Sequence, residues 1–321
     1  MSALAPPAQS RLLFLLKPTF PFQMAYAGAA IVIVSIAGCK LTSIQVSDVG
    51  SLAVFFALIL VALLPLFLYL SKIKWFYLRD AILVVLSALF FSFMLGFPVS
   101  AAARLGMGIP LQDSRFIQWD RSLGVYVPNI AAWASHSRLG ILVGESYALL
   151  FPFMRVAVLL PTLAGKVKDA QHFLIANLIA FTVGLPVFAL LPAVGPWYGY
   201  HLAAIRPDQV ACQEMVSLLR CPGPFLYRFP VGIICFPSFH VVWAILCAQA
   251  LWGFRLLRIP VSILSAIIVA STLATGNHYF CDVLAGIVVA AVAIVSTERF
   301  AGWLAKTDRD LAGVSRLPSL E

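Results

Sequence analysis

Residues 237–282 read PSFHVVWAILCAQALWGFRLLRIPVSILSAIIVASTLATGNHYFCD, and this stretch decides the fold. A histidine stands near each of its ends, and apolar segments lie between them. The segment from Ile259 to Thr275 has about the length that an α-helix needs to cross the hydrocarbon of a bilayer. If residues 241–253 form the preceding helix, the pair returns the chain to the side that it left. His240 and His278 are therefore predicted to meet at one end of a helical hairpin.

The composition predicts a membrane protein. Of the 321 residues, 62% are hydrophobic and 11% are charged, and the mean hydropathy is +0.97. Soluble domains carry about 25% charged residues, so this chain cannot present a polar surface to water all round. The net charge of +9 is spread over short loops, where Lys and Arg are more simply topology signals than a nucleic-acid site. We expect an all-α polytopic membrane protein that binds no nucleic acid.

The apolar stretches predict about eight transmembrane helices. The first is interpreted as a retained helix, because no obvious small-residue cleavage site follows it. Residues 1–79 are predicted to hold an N-terminal tail and two extra helices, residues 80–300 the remaining membrane domain, and residues 301–321 a C-terminal tail. The predicted spans are 24–43, 51–71, 80–103, 140–163, 171–192, 238–254, 258–275 and 279–297.

Basic residues crowd the loops on one side of this arrangement. With both termini inside, these loops lie on the cytoplasmic side. The opposite side receives two long loops, 104–139 and 193–237, and the turn that carries His278. The face with the two histidines is therefore predicted to be non-cytoplasmic. The basic residues are Lys72, Lys74, Arg79, Lys166, Lys168, Arg255, Arg258, Arg299, Lys306, Arg309 and Arg316.

The first long loop mixes aromatic and charged residues. Its stretch from Ile109 to Gly124, followed by Trp133, is typical of an amphipathic segment at the membrane interface. One interpretation is a collar that lies at the lipid surface. The other is a segment that closes over a lipid head group through Arg115 or Arg121.

The second long loop carries two features of its own. Trp197 and Tyr198 follow Pro196, and they either line a head-group pocket or belong to the aromatic belt of the membrane interface. Cys212 and Cys221 either close a small disulfide loop or stay as two free thiols.

The histidines and a nearby aspartate form a set suited to phosphoryl transfer. His278 and Asp282 are four residues apart and are expected to share one side of a helix, where the carboxylate holds the imidazole in one tautomer. His278 then serves as the nucleophile and His240 as the acid for the leaving oxygen. Ser238 and the backbone N–H groups that open its helix supply donors for phosphate oxygens. The set lacks further ligands at metal spacing, so neither a metal nor a cofactor is expected.

The same motifs resemble those of a known family. PSFH at 237–240 and GNHYFCDVLAG at 276–286 are similar to the second and third signature motifs of the type 2 phosphatidic acid phosphatase superfamily. DRSLG at 120–124 and PAVGPWY at 192–198 resemble looser landmarks of the branch that contains the aureobasidin-resistance inositol phosphorylceramide synthases, which are inositolphosphotransferases. The resemblance covers residues 105–297.

The resemblance implies both a fold and a set of roles. The fold is a six-helix phosphatase-like core, with two added N-terminal helices in this chain. His278 would form a phosphohistidine, Asp282 would orient it, and His240 would protonate the leaving group. No metal takes part in such a site.

The chain departs from the superfamily pattern at the phosphate-binding positions. Phe239 stands where the second motif usually has Gly, and Thr272 stands where the third usually has Arg. A Lys with six intervening residues before Arg-Pro is also missing. Arg155 lies within a predicted span, where a neutralising pair with Glu145 is an alternative to phosphate binding. The candidate replacements for the missing cations are Arg228, Arg206 and Arg155.

The expected function is transfer or hydrolysis of a phosphoryl-linked lipid head group by an integral membrane enzyme, with a lipid in the bilayer as its partner. Hydrolysis and transfer share the phosphohistidine step and differ in whether water or an alcohol accepts the group. The alternative is a non-catalytic lipid transporter or binding protein on the same scaffold. The presence of His240, His278 and Asp282 together favours the enzyme.

Overall fold

The chain folds almost entirely into α-helices, as its composition predicts. The computed structural model describes residues 20–46, 68–202, 206–228 and 232–314. Helices α1 to α13 are, in chain order, Phe20–Leu41, Phe76–Met94, Gly96–Leu105, Asp113–Ser122, Val127–His136, Arg138–Glu145, Leu150–Leu163, Val167–Leu190, Pro196–Gly199, Pro207–Arg220, Phe239–Ala250, Arg258–Ala274 and Phe280–Val314.

Short elements join these helices. Single 3₁₀ turns lie at Gly106–Gly108, Ser146–Leu149 and Arg255–Leu257. Strand β1, Ile44–Gln45, pairs in parallel with strand β2, Phe225–Leu226. This pairing ties the end of α1 to the loop that follows α10.

The long apolar helices confirm an integral membrane protein. The second predicted span, 51–71, lies mostly outside the described residues, and so do residues 1–19 and 315–321 of the predicted tails. Shorter apolar helices occupy Tyr26–Leu41 and Phe239–Ala250. The described segments long and apolar enough to cross a membrane are Phe76–Gly108, Arg138–Leu163, Val167–Leu190, Arg255–Ala274 and Phe280–Trp303.

Helix α11 lies at the centre of the bundle, packed against α7, α8, α12 and α13. Close approach of α13 to α11 depends on Gly286. A Cβ atom at that position would lie 2.6 Å from the carbonyl oxygen of Ser238 and 2.9 Å from the Cβ of Val241. Because one of these atoms belongs to the backbone, a side chain at 286 would push the two helices apart.

The basic loops gather at one end of the bundle. Lys166, between α7 and α8, donates a hydrogen bond from Nζ to the carbonyl oxygen of Gly253 at 2.6 Å, which joins the loops before α8 and after α11. Tyr77, at the start of α2, donates to the carbonyl oxygen of Thr162 near the end of α7. His278 follows α12 at its other end, so the histidines and these loops lie at opposite ends of the bundle.

The chain segments around the histidine end are held together by a buried arginine. Arg104, at the end of α3, donates from Nε to the carbonyl oxygen of Thr42 at 2.6 Å. Its terminal nitrogens donate to carbonyl oxygens of Leu219, Cys221 and Gly223 after or near the end of α10. The guanidinium therefore links α1, α3 and the α10–β2 connection.

The helical structure of α10 excludes a disulfide between Cys212 and Cys221. Cys212 is buried inside α10, Cys221 is exposed directly after it, and both thiols are free. Nine residues of helix separate the two positions by about 13 Å, whereas the Cα atoms of a disulfide lie within roughly 7 Å. The intervening residues, interpreted from sequence as a loop, form a helix instead.

We predict that Gly286→Ala destabilises the protein by about 1–3 kcal/mol, because the new methyl group meets the backbone of α11. The measurement is thermal unfolding in detergent. Gly302→Ala on the same helix is the matched control, since a Cβ there meets no atom within 4 Å. Equal unfolding temperatures for the two variants would contradict the close packing of α11 on α13.

Candidate active site

The environment of His278 determines which ring nitrogen carries its hydrogen. His278 lies in the turn between α12 and α13 and is almost fully buried. Its Nδ1 is 3.0 Å from the carbonyl oxygen of Cys235 and 3.4 Å from Oδ2 of Asp282. A carbonyl and a carboxylate only accept hydrogen bonds, so Nδ1 is assigned the hydrogen and Nε2 keeps a free lone pair.

Asp282 is held in place by the first turn of α13. Its Oδ2 accepts the backbone N–H of Tyr279 at 2.7 Å and the thiol of Cys235 at 3.2 Å. Its carbonyl oxygen accepts the N–H of Ser238 at 3.1 Å. The predicted contact with His278 is present, but the reason given for it was wrong. His278 precedes the helix, and the turn capped by Asp282 brings the two side chains together.

His240 lies at the start of α11, and its ring centroid is 5.9 Å from that of His278. The prediction that both histidines reach the same end of the bundle is confirmed. The His240 ring stacks on Tyr147 at 3.9 Å with 17° between the planes, and its Nδ1 is 3.1 Å from the Tyr147 hydroxyl. Its Nε2 is buried and has no hydrogen-bond partner in the described part of the chain.

The N-terminus of α11 supplies backbone donors next to these rings. Ser238 is the N-cap, and its Oγ accepts the N–H of Val241 at 3.4 Å. Phe239 and His240 are the first two helical residues, and their N–H groups make no hydrogen bond within the described ranges. Unpaired N–H groups at a helix start attract anions. Ser238 itself acts locally as a cap and joins α11 to α13.

The amphipathic segment of the first long loop turns its acidic side chains inward. Helix α4 buries Asp120 completely, and the two carboxylate oxygens accept the N–H groups of Phe280 and Cys281, each at 2.8 Å. Burial raises the pKa of Asp120, and these backbone donors oppose the rise. Arg115 and Arg121 are on the exposed side of the helix. Through Asp120, helix α4 therefore holds the backbone of the third motif in place.

A second acid of the same helix holds the chain after α8. Asp113 accepts the N–H of Gly195 at 2.9 Å, the N–H of Val194 at 3.2 Å and the hydroxyl of Tyr279 at 3.0 Å. Desolvation raises its pKa, and these three donors oppose the rise. Gly195 has φ of +142°, a conformation that favours glycine. The pattern Asp113, Phe116, Asp120 has helical spacing, which is the signal that could have revealed this buried face.

In the part of the chain that the structure describes, the remaining candidate residues make no hydrogen bond, ion pair or ring contact with the histidines. Trp197 is 3% exposed and packs in the core, and its backbone N–H donates to the carbonyl oxygen of Gly276. Tyr198 is partly buried beside it. Arg228 is exposed after β2 and makes no ion pair in the described part of the chain. The burial of Trp197 contradicts a place in a lipid-facing aromatic belt.

The other two candidate cations have different surroundings. Arg206 lies 3.2 Å from Asp208 and 3.8 Å from Glu145. Arg155 is exposed on α7 and makes no ion pair among the described residues. The suggested pair of Arg155 with Glu145 is therefore wrong, since Glu145 faces Arg206 instead.

The sequence model of the PAP2 superfamily matches residues 114–296, which include most of α4, both histidines and Asp282. The chain belongs to the PAP2 superfamily. No curated protein and no solved structure matches it. PAP2 superfamily members are membrane-associated phosphatases. The match confirms the resemblance inferred from the sequence motifs at the level of the superfamily.

This PAP2 protein also has a side-chain cluster with the donor types of a metal site. Ligand atoms of Cys235, His278 and Asp282 lie within 4.8 Å of one another. Metal ligation needs the thiolate of a cysteine, but burial and the neighbouring Asp282 raise the pKa of Cys235 well above its usual value. The thiol keeps its hydrogen and donates it to Asp282. The three side chains therefore form a hydrogen-bonded set centred on the carboxylate.

We predict that Asp120→Asn costs about 1–3 kcal/mol of stability, because an amide has one acceptor oxygen for two buried N–H groups. It should also lower activity by misplacing His278. Unfolding in detergent and turnover are both measured. Asp80→Asn is the control, since among the described residues Asp80 pairs with its neighbour Arg79, far from the histidines, and such a pair is worth about 0–1 kcal/mol. Equal losses in the two variants would refute the role given to Asp120.

Proposed function

We propose that this PAP2 protein transfers a phosphoryl-linked head group from one membrane lipid to an alcohol, through a phosphohistidine on His278. The observation that carries the proposal is a pair of ring nitrogens that make no hydrogen bond among the described residues. His278 keeps a free lone pair on Nε2, and the Nε2 atom of His240 is buried without a partner among the described residues. Their rings are 5.9 Å apart between centroids, close enough for a nucleophile and an acid to act on one phosphoryl group.

The first half of the reaction forms the covalent intermediate. The Nε2 lone pair of His278 makes a bond to phosphorus, and the bond from phosphorus to the leaving alcohol oxygen breaks with its electron pair on that oxygen. The imidazolium of His240 gives its Nε2 proton to the same oxygen. Asp282 and the carbonyl of Cys235 hold the Nδ1 hydrogen of His278, so the positive charge that forms on this ring is stabilised.

The second half returns both histidines to their starting states. An alcohol attacks phosphorus, and its proton goes to Nε2 of His240. The bond between phosphorus and Nε2 of His278 breaks, and its electron pair returns to the nitrogen. Water in place of the alcohol would give hydrolysis by the same steps. The N–H groups at the start of α11 are the donors proposed for the phosphate oxygens.

The charge around the site favours a phosphodiester donor over a phosphate monoester. Within the described ranges, no Lys or Arg side chain bonds to either histidine, and three carboxylates are buried nearby, those of Asp113, Asp120 and Asp282. A monoester carries nearly two negative charges at neutral pH, whereas a diester carries one. A monoanionic lipid such as an inositol phospholipid therefore suits this site better. This preference agrees with the motif resemblance to the inositol phosphorylceramide synthases.

We further propose that the site faces the non-cytoplasmic side. Support comes from the separation of the histidines from the loops that contain Lys166 and Arg258, which lie at the other end of the bundle. Positive charge in short loops marks the cytoplasmic side of a membrane protein.

We predict that His278→Ala abolishes turnover, with a loss on the order of 10⁴-fold or more, because the nucleophile is removed. His240→Ala should lose about 10²–10⁴-fold with alcohol leaving groups, the usual contribution of a general acid, and still form phosphoenzyme from a donor with a good leaving group. The donors are phosphatidylinositol and phosphatidic acid labelled at phosphorus, with ceramide or diacylglycerol as acceptors. Acid-labile label on the protein reports the intermediate.

Two controls accompany this experiment. His172→Ala removes an exposed histidine of α8 and should keep wild-type activity. Turnover after treatment with EDTA should be unchanged, and loss that a divalent ion restores would instead support metal chemistry at Cys235, His278 and Asp282. Normal turnover by His278→Ala would eliminate the phosphohistidine.

We predict opposite labelling of two exposed leucines changed to cysteine. Leu123, between α4 and α5 at the histidine end, and Leu256, in the turn before α12, are 53% and 93% exposed. In a background with Cys221→Ser, an impermeant thiol reagent added to intact cells should label Leu123→Cys and spare Leu256→Cys. The reverse pattern would place the chemistry on the cytoplasmic face.

A further inference from the structure

Gln209 joins helix α10 to the turn that precedes His278. It lies in the first turn of α10 and is 3% exposed. We propose that Gln209 is a positioning residue for the nucleophile, because its amide holds the backbone and the side chain that lead into His278. This inference rests on the proposed function, since it assumes that His278 attacks phosphorus.

Both ends of the Gln209 amide are hydrogen-bonded. Its Oε1 accepts the backbone N–H of Arg206 at 2.9 Å. Its Nε2 donates to the carbonyl oxygen of Thr275 at 3.0 Å and to Oδ1 of Asn277 at 2.6 Å. A buried amide is costly unless its polar atoms are paired, so these three bonds fix the orientation of the side chain. The oxygen therefore serves α10, and both hydrogens of Nε2 serve the turn.

The two acceptors of Nε2 lie directly before the nucleophile in the chain. Thr275 caps the C-terminus of α12, Gly276 follows, and Asn277 precedes His278. The carbonyl oxygen of Gly276 accepts the backbone N–H of Trp197 at 3.3 Å. Each of the three residues that lead into the histidine is therefore held by a donor from another part of the chain.

Asn277 adds a second link between α10 and the turn. While its Oδ1 accepts from Gln209, its Nδ2 donates to Oδ2 of Asp208 at 3.2 Å. The other oxygen of this carboxylate accepts from Nε of Arg206 at 3.2 Å. The Asn277 amide is thus bonded through both of its ends. Because Asn277 is covalently joined to His278, a rotation of this residue would move the imidazole.

Gln209 restrains His278 from the side of the chain that the buried acids do not reach. Asp120 and Asp282 accept N–H groups of residues that follow the histidine, whereas Gln209 holds residues that precede it. A reacting group displaced by about 1 Å can lose on the order of 10²-fold in rate. Fixing the backbone on both sides of His278 keeps its Nε2 in the position for attack on phosphorus.

A helix cap is the alternative interpretation of Gln209, and it makes a different prediction. The bond from Arg206 N–H to Oε1 is the one that Glu or Gln makes at the third position of a helix, so a glutamate would cap α10 equally well. The bonds to Thr275 and Asn277 need a donor, and an ionised carboxylate has none. Gln209→Glu therefore keeps the cap and removes both contacts with the turn.

The test measures Gln209→Glu with two donors, phosphatidylinositol and inositol 4-nitrophenyl phosphate. At about pH 8 we expect kcat to fall by about 10–100-fold while KM stays within about threefold, because the nucleophile is displaced and the N-terminus of α11 is not. The loss should be equal for both donors, whereas His240→Ala should spare the nitrophenyl donor, whose leaving group needs little protonation. Gln213→Glu, at an exposed position one turn later in α10, is the matched control and should be unchanged.

The pH dependence of Gln209→Glu separates lost donors from lost folding. Burial and Asp208 raise the pKa of the introduced carboxyl group above its ordinary value of about 4.3, and Arg206 opposes the rise. Below that pKa the carboxyl group again donates one hydrogen bond to the turn. The ratio of variant to wild-type kcat, in which the titration of His278 cancels, should therefore rise reversibly as the pH falls from about 8 to 5.

Several outcomes would overturn the inference. Wild-type kcat in Gln209→Glu would leave Gln209 as a cap, and a constant kcat ratio across pH, a change in KM alone or a loss with one donor only would contradict positioning of the nucleophile. Asn277→Ala removes the second link to α10 and should lower kcat equally for both donors. It decides the question if Gln209→Glu does not fold, and an unchanged kcat there would overturn the inference.

The same measurements distinguish this inference from the proposed function. Full turnover by His278→Ala, or no turnover of either donor by the wild type, would overturn the proposed function and the inference with it. Inactive His278→Ala together with wild-type kcat in Gln209→Glu would overturn only the role of Gln209.

Discussion

The arrangement of the histidine end depends on one buried carboxylate, that of Asp282. This group is inaccessible to solvent and accepts hydrogen bonds from the backbone of Tyr279 and the thiol of Cys235, with Nδ1 of His278 at 3.4 Å. An isolated carboxylate in such a place would cost several kcal/mol, so these donors are required for it to be there at all. Because one of these donors is the backbone N–H of Tyr279, the same hydrogen bonds fix the position of the turn before α13. The position of His278 is therefore a consequence of how the charge of Asp282 is satisfied.

The N-terminus of α13 stabilises two buried carboxylates, those of Asp120 and Asp282. Asp120 accepts the N–H groups of Phe280 and Cys281, and Asp282 lies in the same first turn. The first N–H groups of a helix have no partner within it, and its N-terminus carries partial positive charge. A carboxylate from another helix can accept hydrogen bonds from these N–H groups and can offset the partial positive charge. Helix α4 is thus held against the third motif by electrostatics, and Phe116 packs with Tyr279 and Phe236 beneath it.

Much of the fold was predictable because the bilayer limits it so strongly. Apolar length placed most helices within a few residues, and the motif spacing brought His240 and His278 to one end. Two predictions from local spacing were wrong. His278 was predicted to lie on a helix with Asp282 but lies in the turn before it, and the residues between Cys212 and Cys221 were predicted to form a loop but form a helix. Tyr147 could not be predicted, since its contact with His240 spans 93 positions. It depends on a 3₁₀ turn inside an apolar segment that periodicity presents as continuous helix.

The buried carboxylates of Asp113 and Asp120 in α4 limit which charged groups the histidine end can bind. In the proposed reaction, a phosphate group at this end of the bundle meets buried carboxylates and helix N–H dipoles, with no cation bonded to either histidine among the described residues. Backbone dipoles stabilise one negative charge well but do not neutralise two. Arg206, a candidate cation at the start of α10, already faces Asp208 and Glu145. In the proposed reaction, a donor with one charge needs no additional cation, and its leaving alcohol needs a proton. We therefore expect the placement of His240 to matter as much as that of His278.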